Sequence, residues 1–73
     1  MDKSSEMAVF VRVVDTESFS QAARALKLTP SAVSKLISRL EDRLGTRLLN
    51  RTTRRPSLTE EGRTYYQRCL PIL

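Results

Sequence analysis

The chain has 73 residues, 40% of them hydrophobic, and a formal net charge of +5, which predicts one small domain with a modest core. Histidine is absent and Cys69 is the only cysteine, which excludes zinc fingers, disulfide scaffolds, Cys-His nucleophile pairs and, in our interpretation, an enzyme. No apolar run of membrane length and no signal-peptide pattern is present, so we expect a cytoplasmic protein without cofactors, metals or membrane contact.

The first predicted helix runs from about Ser4 to Asp15. Apolar residues recur in it at three- and four-residue spacing, which is typical of an amphipathic helix. This stripe consists of Met7, Phe10, Val13 and Val14. Val9 and Val11 fall outside the stripe and are either flank contacts or a surface for a partner subunit.

A short second helix is predicted from Phe19 to about Leu26. Ser18 can cap it while Gln21, three residues later, reaches back, which is the pattern of a capping box. Three alanines follow, at positions 22, 23 and 25. Alanine favours helix in general, but small residues just before a turn also allow another helix to cross closely, which we favour here.

A third helix is predicted from Pro30 to Leu44. Thr29 is a suitable N-cap, and proline at the first helical position loses no hydrogen bond. Gly45 is expected to end the helix in the left-handed conformation. On a helical wheel the apolar face consists of Val33, Leu36, Ile37, Leu40 and Leu44.

The opposite face of this third helix is short, hydroxylated and basic. It consists of Ser31, Ser34, Lys35, Ser38 and, at its edge, Arg39. An ordinary solvated face carries more acid, whereas here the acids are Glu41 and Asp42, near the far end. We expect the N-terminal half to meet phosphates and the C-terminal half to leave them, with Arg43 pointing elsewhere.

After Gly45 the pattern predicts two very short strands, around Leu48-Leu49 and Ser57-Leu58. The basic segment 51–56 joins them, and Pro56 is tolerated because the strands are marginal and lie at an edge. A fourth helix should begin after Thr59, with acids at 60 and 61 where the helix dipole favours them, and continue to about position 70.

These elements predict a mainly α fold: a winged helix-turn-helix, with a three-helix core and a short two-stranded β wing, followed by a linker helix. The helix-turn-helix covers about residues 19–38. Residues 24–55 contain nine of the 13 basic residues and two of the eight acids, so they carry +7 and the remainder −2. Such a concentration attracts polyanions, although small domains are also often basic for solubility.

The combination indicates sequence-specific binding of double-stranded DNA, with recognition helix 30–44 in the major groove and wing 51–56 in the minor groove. The candidate major-groove residues are Pro30, Ser31, Ser34, Lys35, Ser38 and Arg39. The candidate DNA-backbone contacts are Ser18, Ser20, Thr29 and Arg51. The candidate wing residues are Arg54 and Arg55.

Each candidate has a plainer interpretation. The serines can be a solvent-tolerant surface, and Lys35 and Arg39 can reach either guanine or only phosphate. Arg51 can pair with an acid inside the fold, and Arg54 and Arg55 can be charges that keep an exposed turn soluble. The alternative function is a winged helix that docks another protein, which we disfavour because such a face needs larger apolar or aromatic anchors.

The chain resembles the N-terminal domain of LysR-type transcriptional regulators. The matching residues are Phe10-x-x-Val13-Val14, Ser18-Phe19-Ser20-x-Ala22-Ala23-x-x-Leu26, Ser31-Ala32-Val33-Ser34, Ile37-x-x-Leu40-Glu41-x-x-Leu44-Gly45-x-x-Leu48-Leu49-x-Arg51, and Arg54-x-x-x-Leu58-Thr59-x-x-Gly62. They cover about residues 7–62 at the family's spacing without a gap. Two positions depart: Glu17 stands where the family often has Gly, and Leu49 where Phe is usual. Pro30 stands where members commonly carry Gln or Pro.

The resemblance implies that Pro30, Ser31, Ser34 and Lys35 face the major groove, with Arg54 nearest the minor groove. It also implies a homodimer paired through the linker helix. The candidate dimerisation residues are Tyr65, Tyr66, Cys69 and Leu70. Residues 1–58 are then the DNA-binding domain and 59–73 the start of the linker helix, while a domain that binds a small-molecule effector lies outside this chain.

Overall fold

The computed structural model describes residues 3–51 and 55–72. It contains four helices and one two-stranded antiparallel sheet. In chain order the elements are α1 (Lys3–Thr16), α2 (Phe19–Leu26), α3 (Pro30–Leu44), β1 (Leu49–Asn50), β2 (Ser57–Leu58) and α4 (Glu60–Cys69). The predicted mainly α winged-helix architecture is confirmed, with boundaries within about one residue of those expected for the first three helices.

Helix α1 packs against α2, α3 and α4. Because it is covered from several sides, its buried face is broader than one stripe. Val9 is buried together with Phe10 and Val13, so of the two alternatives left open for it the contact with the core at the flank of the stripe is the one present. Val11 and Val14 are half-buried and pack against the same core.

The corner between α1 and α2 depends on backbone conformation and a cap. The Ser18 Oγ accepts a hydrogen bond from the backbone N–H of Gln21 at 3.1 Å, so the serine half of the predicted capping box is formed. Glu17, at the position where the family often has glycine, has φ of +53°. This left-handed conformation is unfavourable for a residue with a Cβ and explains why glycine suits the position.

Helix α3 begins and ends as predicted. The Thr29 Oγ1 accepts from the backbone N–H of Ala32 at 3.1 Å, and Gly45 closes the helix at φ +72°. Four of the five residues on the predicted apolar face are buried, but Leu44 is 40% exposed. Leu44 lies in the last turn of α3, where it lines a shallow surface groove with Leu48 and with Tyr65 of α4.

The wing strands pair Leu49 with Leu58 and Asn50 with Ser57. The N-cap of the following helix is tied to the residue before β1, because the Thr59 N–H donates to the Leu48 carbonyl at 3.0 Å. Gly62 lies against the same carbonyl: a Cβ built on it would be 2.0 Å from the Leu48 oxygen. Only glycine allows α4 to approach the Leu48 backbone this closely.

The core joins all the helices to the first strand. Its buried residues are Val9, Phe10, Val13, Ala22, Ala23, Val33, Leu36, Ile37, Leu40, Leu48 and Leu49. The buried Ala22 and Ala23 let α2 lie close to its neighbours α1 and α3, as predicted, whereas the third alanine, Ala25, is exposed. Across residues 3–51 and 55–72, every helix is too short or too polar to cross a membrane.

Candidate nucleic-acid interface

The N-terminal half of α3 presents an exposed polar face. Pro30, Ser31, Lys35 and Arg39 are exposed, whereas Ser34 and Ser38 are half-buried. The two acids of α3 lie beyond this half, and only Asp42 is exposed. The exposed part of the helix is therefore hydroxylated and positively charged.

A shallow polar concavity lies between the start of α2 and the wing. Ser18, Ser20 and Gln21 line one side of it, and Arg55 and Pro56 line the other. Backbone N–H groups at a helix N-terminus and a nearby guanidinium are both favourable to a phosphate. The structure thus brings the predicted backbone contacts Ser18 and Ser20 next to the wing.

Thr29 has a structural role in the chain itself. Its hydroxyl oxygen caps α3, and the residue is exposed at the turn between α2 and α3. The same turn contains Lys27 in the left-handed conformation at φ +60°, followed by the Leu28 N–H donating to the Ala23 carbonyl at 2.8 Å. These local bonds fix the angle at which α3 leaves α2.

Glu41 is a buried anchor that the sequence interpretation missed. Its side chain is only 3% exposed, and its Oε2 accepts from the backbone N–H groups of Leu48 at 2.8 Å and Leu49 at 3.2 Å. Its Oε1 lies 3.5 Å from Arg47 Nη1 and 3.4 Å from Arg51 Nη2. The carboxylate therefore holds the start of β1 against the C-terminal half of α3.

A signal for this role was present in the helical spacing. Glu41 follows Ile37 by four residues and Val33 by eight, so it falls on the buried face rather than the solvated one. An acid at such a position needs partners because burial of an uncompensated charge is costly. The expectation that Glu41 belongs to the solvated far end was wrong.

Arg51 connects three elements. Its Nη1 donates to the hydroxyl oxygens of Ser34 and Ser38, both at 3.2 Å, and its Nη2 pairs with Glu41. The guanidinium carbon also lies 5.5 Å from the centre of the Phe19 ring of α2. The internal ion pair that we considered as an alternative is thus present, and contact with the DNA backbone remains a prediction.

The wing contributes charge at its described end. Arg55 is exposed and lies 3.8 Å from the Glu17 carboxylate, with 80% and 65% of the two side chains exposed. An ion pair this exposed contributes little to stability, because solvent screens it. Arg54, the residue predicted to be nearest the minor groove, falls outside the described residues.

The predicted dimerisation residues differ in accessibility. Cys69 is fully buried within the chain, and burial raises the pKa of its thiol. Tyr65 packs on Phe10 with ring centres 5.5 Å apart. The pKa of its phenol is raised, and burial is the main cause. Tyr66 donates to Asp15 at 2.5 Å, a hydrogen bond that raises the pKa of the phenol. Leu70 is 49% exposed.

Two further observations define the chemistry of this surface. Arg43 pairs with Glu6 of α1, which turns it away from the exposed face of α3. Within residues 3–51 and 55–72, His, Cys, Asp and Glu side chains nowhere gather in a group of three that could hold a metal ion. The exposed face of α3 presents the Ser31 hydroxyl, the Lys35 ammonium and the Arg39 guanidinium, which are groups that recognise anions and base edges.

A helix-turn-helix followed by a basic wing defines a class of regulatory domain, and comparisons with known proteins identify its family. The model described as "Bacterial regulatory helix-turn-helix protein, lysR family" matches residues 4–63. The chain is 56% identical over 70 residues to the HTH-type transcriptional regulator CrgA of Neisseria meningitidis, which covers 96% of this chain and 23% of that protein.

Solved structures agree with this assignment. The structure described as the BenM_DBD/catB site 1 DNA complex matches with a TM-score of 0.93 and 34% identity, covering 97% of this chain and 79% of that one. CrgA, described as a LysR-type transcriptional regulator from Neisseria meningitidis, matches with a TM-score of 0.77 and 53% identity, covering 99% of this chain and 24% of that one.

The chain belongs to the LysR family of bacterial regulatory helix-turn-helix proteins. The predicted family is thereby confirmed, and it is a family of regulators rather than enzymes. The chain spans about a quarter of the length of the curated relatives it matches.

Proposed function

We propose that this chain binds double-stranded DNA sequence-specifically, as the DNA-binding part of a transcriptional regulator. Helix α3 enters the major groove with its N-terminal half, and the wing, residues 51–56, reaches the adjacent minor groove. A major groove admits one α-helix, and short side chains near the helix N-terminus keep its backbone close to the bases. The similarity to a BenM domain described in complex with DNA supports this proposal.

The observation that carries the proposal is the composition of the exposed face of α3. Ser31, Lys35 and Arg39 are exposed there. The nearest acid along the helix, Glu41, is buried, accepts a hydrogen bond from the backbone N–H of Leu48 and pairs with two arginines. The carboxylate of Glu41 is therefore kept off the exposed face by its partners. The exposed charged side chains of that face are Lys35 and Arg39, which are both positive and attract phosphates.

The competing function, a protein-docking module, would need an apolar anchor on the same face. The exposed large hydrophobic residues among those described are Leu44, Leu70 and Ile72. Leu44 is at the far end of α3, and the other two follow α4. None lies on the exposed N-terminal face of α3, so the observations favour DNA.

We further propose a homodimer that pairs through the linker helix, with residues 1–58 binding DNA and 59–73 beginning that helix. Leu70 and Ile72 are 49% and 67% exposed, and a dimer would bury part of their apolar surface away from water. A small-molecule effector would bind a separate domain of the regulator. Sedimentation of the chain with and without a two-half-site duplex tests the pairing: a single copy on that duplex would contradict it.

DNA binding is tested by selecting duplexes from a random pool and measuring affinity against salt. Because several phosphates release counterions, we expect a log–log slope steeper than about −4. Lys35→Ala should weaken binding by about fivefold to a hundredfold if Lys35 contacts guanine. Arg12→Ala, which removes one charge from α1, is the control and should change affinity little. A flat salt dependence, or equal binding of all sequences, would overturn the proposal.

A further inference from the structure

The hydrogen bonds of Arg51 constrain the two half-buried serines of α3. One nitrogen, Nη1, lies 3.2 Å from both Ser34 Oγ and Ser38 Oγ. Since each terminal guanidinium nitrogen carries two N–H groups, the same nitrogen can donate to both hydroxyls at once. Ser34 and Ser38 are four residues apart, so Arg51 bridges consecutive turns of the helix that we place in the major groove.

The chemistry of these bonds sets the polarity of the hydroxyls. Arginine has only donors, so each serine oxygen must accept from Arg51. A hydroxyl has one hydrogen and two lone pairs, and it can rotate to suit its surroundings. With a positive charge on one side, the oxygen turns towards Arg51 and the hydrogen turns away. Arg51 thereby occupies one lone pair of each oxygen and favours donation by the hydrogen on the side away from the guanidinium.

The guanidinium is itself held in place. Its Nη2 pairs with Glu41, whose other oxygen is fixed by two backbone N–H groups of the first strand. Its planar group lies by the Phe19 ring at 5.5 Å, and only 27% of the side chain is exposed. A cation held by a carboxylate, a ring and two hydroxyls has little freedom to leave, so the serines experience a constant field.

We propose that Arg51 is a specificity-determining residue that acts through Ser34 and Ser38, by making both serines hydrogen-bond donors towards DNA. Donor serines favour base edges that carry acceptors in the major groove, namely guanine N7 and O6, adenine N7 or thymine O4. They disfavour the amino groups of cytosine and adenine, which are donors themselves. This inference rests on the proposed DNA binding and deepens it, because it states which chemical edge α3 can read.

The first experiment needs no change to Arg51. Duplexes are selected from a random pool with the wild-type chain, and selection is repeated with Ser34→Ala and Ser38→Ala to find each base whose preference depends on a hydroxyl. We expect those bases to present acceptors. Replacing such a base with cytosine, which presents only an amino group in the major groove, should weaken wild-type binding about tenfold. Replacing a guanine with 7-deazaguanine tests the N7 acceptor separately.

The second experiment changes the polarity. Arg51→Met removes every donor but keeps a chain of similar reach against Phe19, which leaves both hydroxyls free to accept as well as donate. The ratio compares the affinity for the selected duplex with the affinity for a duplex that has cytosine at a serine-dependent position. It should fall from about tenfold to less than about threefold. Arg12→Met, which removes the same charge from α1, should leave that ratio unchanged. The ratio is the readout, because a merely structural role would lower affinity for both duplexes alike.

Circular dichroism first establishes whether Arg51→Met folds; if it does not, the serine variants and base replacements decide the matter. The inference is overturned if a serine-dependent base is cytosine, if neither serine variant changes any preference, or if Arg51→Met keeps the wild-type ratio. In all three cases sequence-specific, salt-dependent binding persists, so the proposed function stands. Absence of such binding in the wild-type chain would overturn the proposed function and this inference together.

Discussion

The two ends of α3 are held in place by different kinds of interaction. At the N-terminal end, Thr29 caps the helix from the adjacent residue, and the side chains that follow are exposed. At the C-terminal end, Glu41 is buried and collects hydrogen bonds from the first strand and from Arg47 and Arg51. The first end is fixed locally and left available to a ligand, while the second is fixed by residues distant along the chain.

This difference separates recognition from support. Substitutions at the exposed end should change DNA affinity with small effects on folding, because few contacts within the chain are lost. Substitutions at the buried end should change folding first, because β1 and the wing depend on it. Variants at Glu41 and Thr29 test this division, and a variant at Gly62 tests the packing of α4 next to it. They follow in order of decreasing expected effect.

Glu41→Ala should give the largest loss. It leaves two backbone N–H groups and Arg51 without their buried acceptor, and removing one partner of a buried ion pair costs about 3–5 kcal/mol. The free energy of unfolding is measured by urea denaturation followed by circular dichroism. Asp42→Ala is the matched control. Asp42 is an exposed acid next to Glu41, so its loss should change the free energy of unfolding by less than about 0.5 kcal/mol. Equal losses for the two variants would show that Glu41 is not an anchor.

Gly62→Ala should be next, at about 2–3 kcal/mol, because the new Cβ would overlap the Leu48 carbonyl oxygen and push α4 from β1. Gly45→Ala is an instructive control. Gly45 has open space around a Cβ but a left-handed backbone, so alanine there should cost only about 1–2 kcal/mol. Thermal unfolding of both variants gives the order, and a Gly62→Ala protein as stable as wild type would contradict the close approach.

Thr29→Ala should cost about 1 kcal/mol, the usual contribution of a helix N-cap. Because the cap is local, the variant should keep the core and unfold in one cooperative transition at a slightly lower denaturant concentration. Thr64→Ala removes a similar hydroxyl from an exposed position within α4 and should have an effect below about 0.5 kcal/mol. If Thr29→Ala proved as damaging as Glu41→Ala, the two ends would not differ as we describe.

The sequence was sufficient for the features that arise from neighbouring residues. Helices α2 and α3 begin after Ser18 and Thr29 and end before Lys27 and Gly45, as caps and turn residues predict. The basic face of α3 and the two strands were also predicted, because spacing and composition encode them directly. The structure also explains why the family often has glycine at the position of Glu17, because the backbone there has a positive φ.

The tertiary structure alone decided how those elements are joined. Spacing placed Glu41 on a helix face, but only the position of β1 shows that its carboxylate binds two backbone N–H groups. Likewise, nothing local in the sequence relates Arg51 to Ser34 and Ser38, which lie 17 and 13 residues away along the chain. Such contacts depend on the packing of distant segments, whereas caps and amphipathic faces depend on neighbours three or four residues apart.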